Sequence, residues 1–137
     1  TLTGYVLYRY NNGSTDASAT IDLSGITIPA NGTYVFANSG SIQAMLDVAD
    51  TTEGSSTYFN GDDALVIELD GVVVDIIGLI GEDPGSGWDI VGDDNATSNH
   101  TLVRNPDVTT GVAVFDPSQW TVYAQDTTDY LGSHTVD

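Results

Sequence analysis

Residues 64–78 constrain the fold more than any other stretch of the chain. Two apolar runs, Ala64–Leu69 and Val72–Ile77, flank Asp70-Gly71. That residue pair suits a type I′ hairpin turn, whose two central residues both need positive φ. A two-residue loop fixes the register: Leu69 faces Val72, Ile67 faces Val74 and Leu65 faces Ile76. These six residues would share one face, and that face is the expected core. The opposite face carries Val66, Glu68, Val73, Asp75 and Ile77.

The rest of the chain reads in the same way. Residues 3–10, 19–23, 26–28, 33–37, 100–104, 119–124 and 130–135 are short extended pieces rich in Val, Ile, Thr and Tyr. Turn signals separate them, including Asn11-Asn12-Gly13-Ser14 and Pro29-Ala30-Asn31-Gly32. One short helix is expected: Ser41 would cap it, and Ile42, Met45, Leu46 and Ala49 form its apolar stripe. Residues 79–99 are rich in Gly and Asp, interrupted by Trp88 and Ile90. Short strands with frequent turns indicate an all-β sandwich or barrel. With no internal repeat or linker, residues 1–137 read as a single domain.

Charge narrows the function. Twenty acidic residues, 17 Asp and 3 Glu, face two basic ones, Arg9 and Arg104, and there is no lysine. Phosphate contacts need Lys or Arg, so nucleic acid is not an expected partner, and an anionic membrane would repel the chain. No apolar run reaches the roughly 20 residues of a membrane-spanning helix. No signal peptide is visible at Thr1, where strand-like sequence begins at once. The absence of cysteine excludes disulfides and thiolate metal sites.

No catalytic signature stands out. There is no nucleophile elbow, phosphate-binding loop or H-E-x-x-H helix, and the two histidines, His100 and His134, sit in strand-like sequence. Calcium is the expected cofactor, because it takes six to eight hard oxygens, as the Asp-rich loops could offer. The candidate ligands are Asn60, Asp62 and Asp63 in one loop, Glu82 and Asp83 with Asp89 in a second, and Asp93 and Asp94 in a third. None of these loops is an EF-hand, so a site would be assembled from several of them. The alternative is that these residues cap turns. Trp88, Trp120 and seven tyrosines could line a sugar platform, although packing is their commoner use.

Several stretches, taken in order, resemble the bacterial lamin-tail (intermediate-filament tail) domain. They are Ile21-Asp22-Leu23-Ser24-Gly25, Pro29-Ala30-Asn31-Gly32-Thr33-Tyr34-Val35, and Phe59-Asn60-Gly61-Asp62-Asp63-Ala64-Leu65-Val66-Ile67. Further on come Val74-Asp75-Ile76-Ile77-Gly78, Asp83-Pro84-Gly85 with Trp88, Asn99-His100-Thr101-Leu102-Val103-Arg104 and Leu131-Gly132-Ser133-His134-Thr135. The resemblance implies an immunoglobulin-like β-sandwich of secreted or cell-surface proteins, here lacking its first strand or strands. It also implies a non-catalytic structural or interaction role, with other protein chains or copies of itself as partners. Calcium-stabilised assembly into filaments by strand exchange is one form of that role. The alternatives are an accessory domain of a secreted nuclease or phosphatase, and a carbohydrate-binding module.

Overall fold

The computed structural model describes residues 1–136. In chain order its strands are β1 (Tyr5–Tyr10), β2 (Ala19–Asp22), β3 (Phe36–Ala37), β4 (Thr51–Thr52), β5 (Ala64–Leu69), β6 (Val72–Ile77), β7 (His100–Arg104) and β8 (Trp120–Ala124). Among the described residues the one α-helix, α1 (Gln43–Leu46), lies between β3 and β4, and single 3-10 turns cover Ser56–Tyr58 and Pro117–Gln119. The fold is thus β-rich with one very short helix. The strands form three sheets: an antiparallel sheet ordered β2-β1-β5-β6, a parallel β3–β4 pair, and an antiparallel β7–β8 ribbon.

The β5–β6 hairpin closes through Asp70 (φ 49°) and Gly71 (φ 83°), as the turn chemistry requires. Its register departs from expectation after two pairs. Leu69 faces Val72 and Glu68 faces Val73, but Ile67 then faces Asp75, leaving Val74 as the extra residue of a β-bulge. Beyond the bulge, Val66 faces Ile76 and Leu65 faces Ile77. The most buried positions are therefore Ala64, Val66 and Ile76, with Val66 fully enclosed. The expected core face is corrected accordingly: Leu65 and Ile67 are only half-buried, and Val72 is 66 % exposed. The bulge lies in β6, so it carries Ile76 round to the face of Val66; β5 keeps its own alternation, and its enclosed face is the one bearing Ala64 and Val66.

Three other expectations need correction. Ser41 does not cap α1, because the Asn38 turn uses its backbone, with Ser41 N–H donating to Asn38 O. Ile42 takes the N-cap position without a side-chain acceptor, and the helix lasts one turn. Residues 26–28 do not form a strand; Ile26 bonds locally to Leu23 and accepts from Leu2. Residues 130–135 also run without regular pairing.

Arg104 ties the β7–β8 ribbon to the large sheet. Its guanidinium meets the Asp75 carboxylate of β6 at 2.6 and 3.0 Å, donates to Gln119 Oε1 at 3.0 Å, and lies 4.8 Å from the Trp120 ring. Such two-pronged pairing fixes orientation as well as distance. The backbone N–H of Val112 also donates to Asp75, so residues near 112 pass alongside the outer edge of β6.

Candidate functional site

The loop before β5 carries a buried polar network centred on Asp63 and Arg9. Asp63 is 2 % exposed and Arg9, on neighbouring β1, is 8 % exposed. Arg9 Nη1 lies 3.3 Å from Asp63 Oδ2, and its Nε donates to Ser55 O at 2.8 Å. The same guanidinium contacts the Asn11 amide oxygen. The Asn12 backbone N–H donates to Asp63 Oδ1 at 3.3 Å. With its amide nitrogen turned inward, Asn12 also donates to both Asp62 and Asp63, at 2.9 to 3.1 Å. A buried ion is stable only when paired and hydrogen-bonded, and Asp63 has both.

Trp88 anchors the other side of this loop. Its indole N–H donates to Asp63 O at 2.8 Å, and its backbone N–H to Thr97 Oγ1 at 2.7 Å. The Thr97 hydroxyl in turn donates to Gly61 O at 2.6 Å. The ring lies so close to Gly78 that a Cβ there would fall 2.6 Å from it. Trp88 is thus buried packing rather than an exposed aromatic platform. The aromatic pair nearest the surface is Tyr123–Tyr130, with ring centroids 4.8 Å apart.

The structure divides the eight candidate ligands. Asp62, Asp63 and Asp83 come into one neighbourhood around the Asn12-Gly13 turn, where a Cβ on Gly13 would meet Asp83 at 3.2 Å. Partial burial pushes the Asp62 carboxyl above its ordinary range, and the charges of Asp63 and Asp83 add to that. Asp83 also caps its own turn, accepting from Gly85 N–H at 2.9 Å, and Asp89 accepts from Asn95 N–H at 2.8 Å. Asp93 pairs through its backbone with Ile90, and it and Asp94 are exposed. Asn60 and Glu82 lie in the same loops without joining the Asp62 neighbourhood through any hydrogen bond among the described residues. Also among the described residues, no three His, Asp or Glu side chains converge as a ligand set.

Two polar centres escaped the sequence reading. Arg9 lies 54 residues from Asp63, and only the scarcity of cations in the chain hinted that each would be spent on a buried carboxylate. Glu53 accepts from the backbones of Ser55 and Ser56 at 2.6 and 2.7 Å and from both hydroxyls. Desolvation would raise its pKa, but these four donors outweigh it and bring the carboxyl down to about 2. The local Glu-x-Ser-Ser pattern was the available signal. Both histidines hydrogen-bond backbone carbonyls: His100 Nδ1 to Ser98 O at 2.7 Å and His134 Nε2 to Val108 O at 3.0 Å.

A cleft of about 680 Å³ opens between β3 and β7. Its walls include Tyr34, Phe36, Leu102, Arg104, Trp120 and Leu131, and no carboxylate lines it. Among the described residues, no helix is long and apolar enough to cross a membrane. Comparison with protein-family models, with curated proteins and with solved structures finds no match for this chain.

Proposed function

We propose that this chain is a non-catalytic structural or interaction module of lamin-tail type, an immunoglobulin-like β-sandwich that works outside the cell. The observation that carries this reading is the use of its polar interior. Both arginines and their carboxylate partners, Asp63 and Asp75, are spent on joining strands to one another. Catalysis needs polar groups poised on an open site, whereas these are tied down. The sandwich reading draws support from the Arg104–Asp75 bridge, which ties the β7–β8 ribbon to β6 of the large sheet. The ordered motifs around Asp63, Gly78, Trp88 and Arg104 fall on the contacts that hold the molecule together.

Calcium enters this proposal as a stabiliser of the Asp62–Asp83 neighbourhood. Asp63 is engaged by Arg9, so an ion there would draw on Asp62, Asp83, carbonyl oxygens and water. At about 100 times its dissociation constant, a bound ion would add about 2.7 kcal/mol. A melting temperature that rises in millimolar Ca²⁺ and falls with chelator at constant ionic strength is the expected result; an unmoved value removes the ion. The module reading is tested by incubating the purified chain with chromogenic phosphodiester, phosphomonoester and glycoside substrates. No turnover is expected. Turnover that survives repurification and disappears in Asp62→Asn or His100→Ala would overturn it.

A further inference from the structure

We infer that the cleft between β3 and β7 receives residues 131–136 of a second copy of this chain as an added β-strand. This deepens the module reading and rests on it.

The first observation is that two unpaired strand edges face the cleft. Val35 O accepts from Asp50 and Thr51, and Ala37 O accepts from Glu53, so the intervening Phe36 N–H and C=O point away from β4. On β7, Asn105 N–H bonds Gln119 O, continuing the ladder in which Val103 and Thr101 face β8. The backbone groups of Leu102 and Arg104 therefore point to the other edge. Among the described residues they make no hydrogen bond there, and Phe36, Leu102 and Arg104 all line the cleft. Two buried donors in its wall, Arg104 Nε and Trp120 Nε1, also have no partner. An extended backbone brings carbonyl acceptors in a row, which is what such edges and donors take.

The second observation is an unspent strand. Beyond Leu131, whose N–H bonds Thr128 O, residues 132–136 make no backbone–backbone hydrogen bond among the described residues. They are exposed; Leu131 to His134 line the chain's own cleft, where His134 Nε2 meets Val108 O at 3.0 Å, and they would leave that wall on joining a neighbour. Charge fits as well. The segment from Tyr130 to Val136 carries no Asp or Glu, and the cleft is free of carboxylate in a chain of net charge −18. Like charge is therefore sparse at this seam, with Asp129 and Asp137 only at the two ends of the segment.

A strand given to one neighbour and a cleft offered to another make a head-to-tail contact, which grows as a ring or an open filament.

The experiment is light scattering and electron microscopy of the full chain across protein concentration, in salt high enough to screen the surface charge. Assemblies are expected, and Thr135→Pro should lower their fraction at least tenfold. That substitution deletes an N–H needed in the new ladder and unbonded in the monomer, and circular dichroism checks that its fold is unchanged. A synthetic peptide of residues 131–137 should cap growing ends and leave monomer with peptide bound. Mixing Thr135→Pro, with its intact cleft, with Leu102→Pro, with its intact strand, should yield dimers and nothing larger. A native chain that stays monomeric overturns the inference, as do assemblies that ignore Thr135→Pro or the peptide. Either result leaves the module reading standing, because only turnover removes that.

Discussion

Replacing Arg9 with methionine should cost about 3–5 kcal/mol, the usual penalty for stranding one member of a buried ion pair. The two side chains are 9 % and 3 % exposed, so water can do little to screen the charge left behind. In Arg9→Met, the Asp63 carboxylate keeps its contacts from Asn12, and it still lies beside Asp62, whose own carboxyl already feels that charge. Asp63→Asn should cost less, about 1–3 kcal/mol, since Arg9 retains Ser55 O and Asn11 and the amide oxygen still accepts. The double substitution should cost less than the sum, because no charge is then left without a partner. Urea unfolding measures all three. With a slope of about 1–3 kcal/mol per molar, Arg9→Met should lower the midpoint by roughly 1–5 M. Since a domain has only about 5–15 kcal/mol of stability, it would stand near the limit of folding. A cost below about 1 kcal/mol for Arg9→Met, or strict additivity of the two changes, would refute the reasoning and make the pair a screened surface contact.

Val66→Ala should cost about 2 kcal/mol in the same assay, and Ile67→Val, at its half-buried neighbour, well under that; equal effects would restore the face expected from the turn alone. Gly78→Ala and Gly71→Ala impose the same backbone strain, at φ 85° and 83°, but only the first drives a methyl into Trp88. Gly78→Ala should therefore exceed Gly71→Ala by about 1–3 kcal/mol in melting or urea experiments. Glu53 has a folded pKa near 2 against an ordinary 4.5. Its contribution is accordingly full above pH 4.5 and is lost as pH falls toward 2. Glu53→Gln should flatten the acid limb of stability against pH in that window, and an unchanged limb would show that the four donors do not hold the carboxylate.

The turn at Asp70-Gly71 was legible because its chemistry is local: two adjacent residues must take positive φ, and few pairs do so readily. The register beyond it was not. Val72-Val73-Val74 offers three nearly equivalent side chains, so nothing in the sequence marks which one bulges, yet that choice decides whether Ile76 falls on the face of Val66 or on that of Ile67. Distance in sequence hid the ion pair in the same way, since Arg9 and Asp63 meet only because β1 lies against β5. β3 falls inside the extended piece read at 33–37, but β4 was missed because two residues are too short to show any periodicity. The acidic loops were visible as composition, but their grouping of Asp62 with Asp83 depends on where the Asn12-Gly13 turn lands.

Locking both arginines into internal pairs has an outcome for how the molecule meets the world around it. With no lysine in the chain, its outer surface offers no firmly positive side chain at all near neutral pH. Such a particle has no face that can dock electrostatically on its own acidic loops, so ordinary random clumping, in which patches of opposite sign find one another, is closed to it. Dense packing of many copies in brine then becomes tolerable, and whatever contacts they do make must be uncharged, shaped and few.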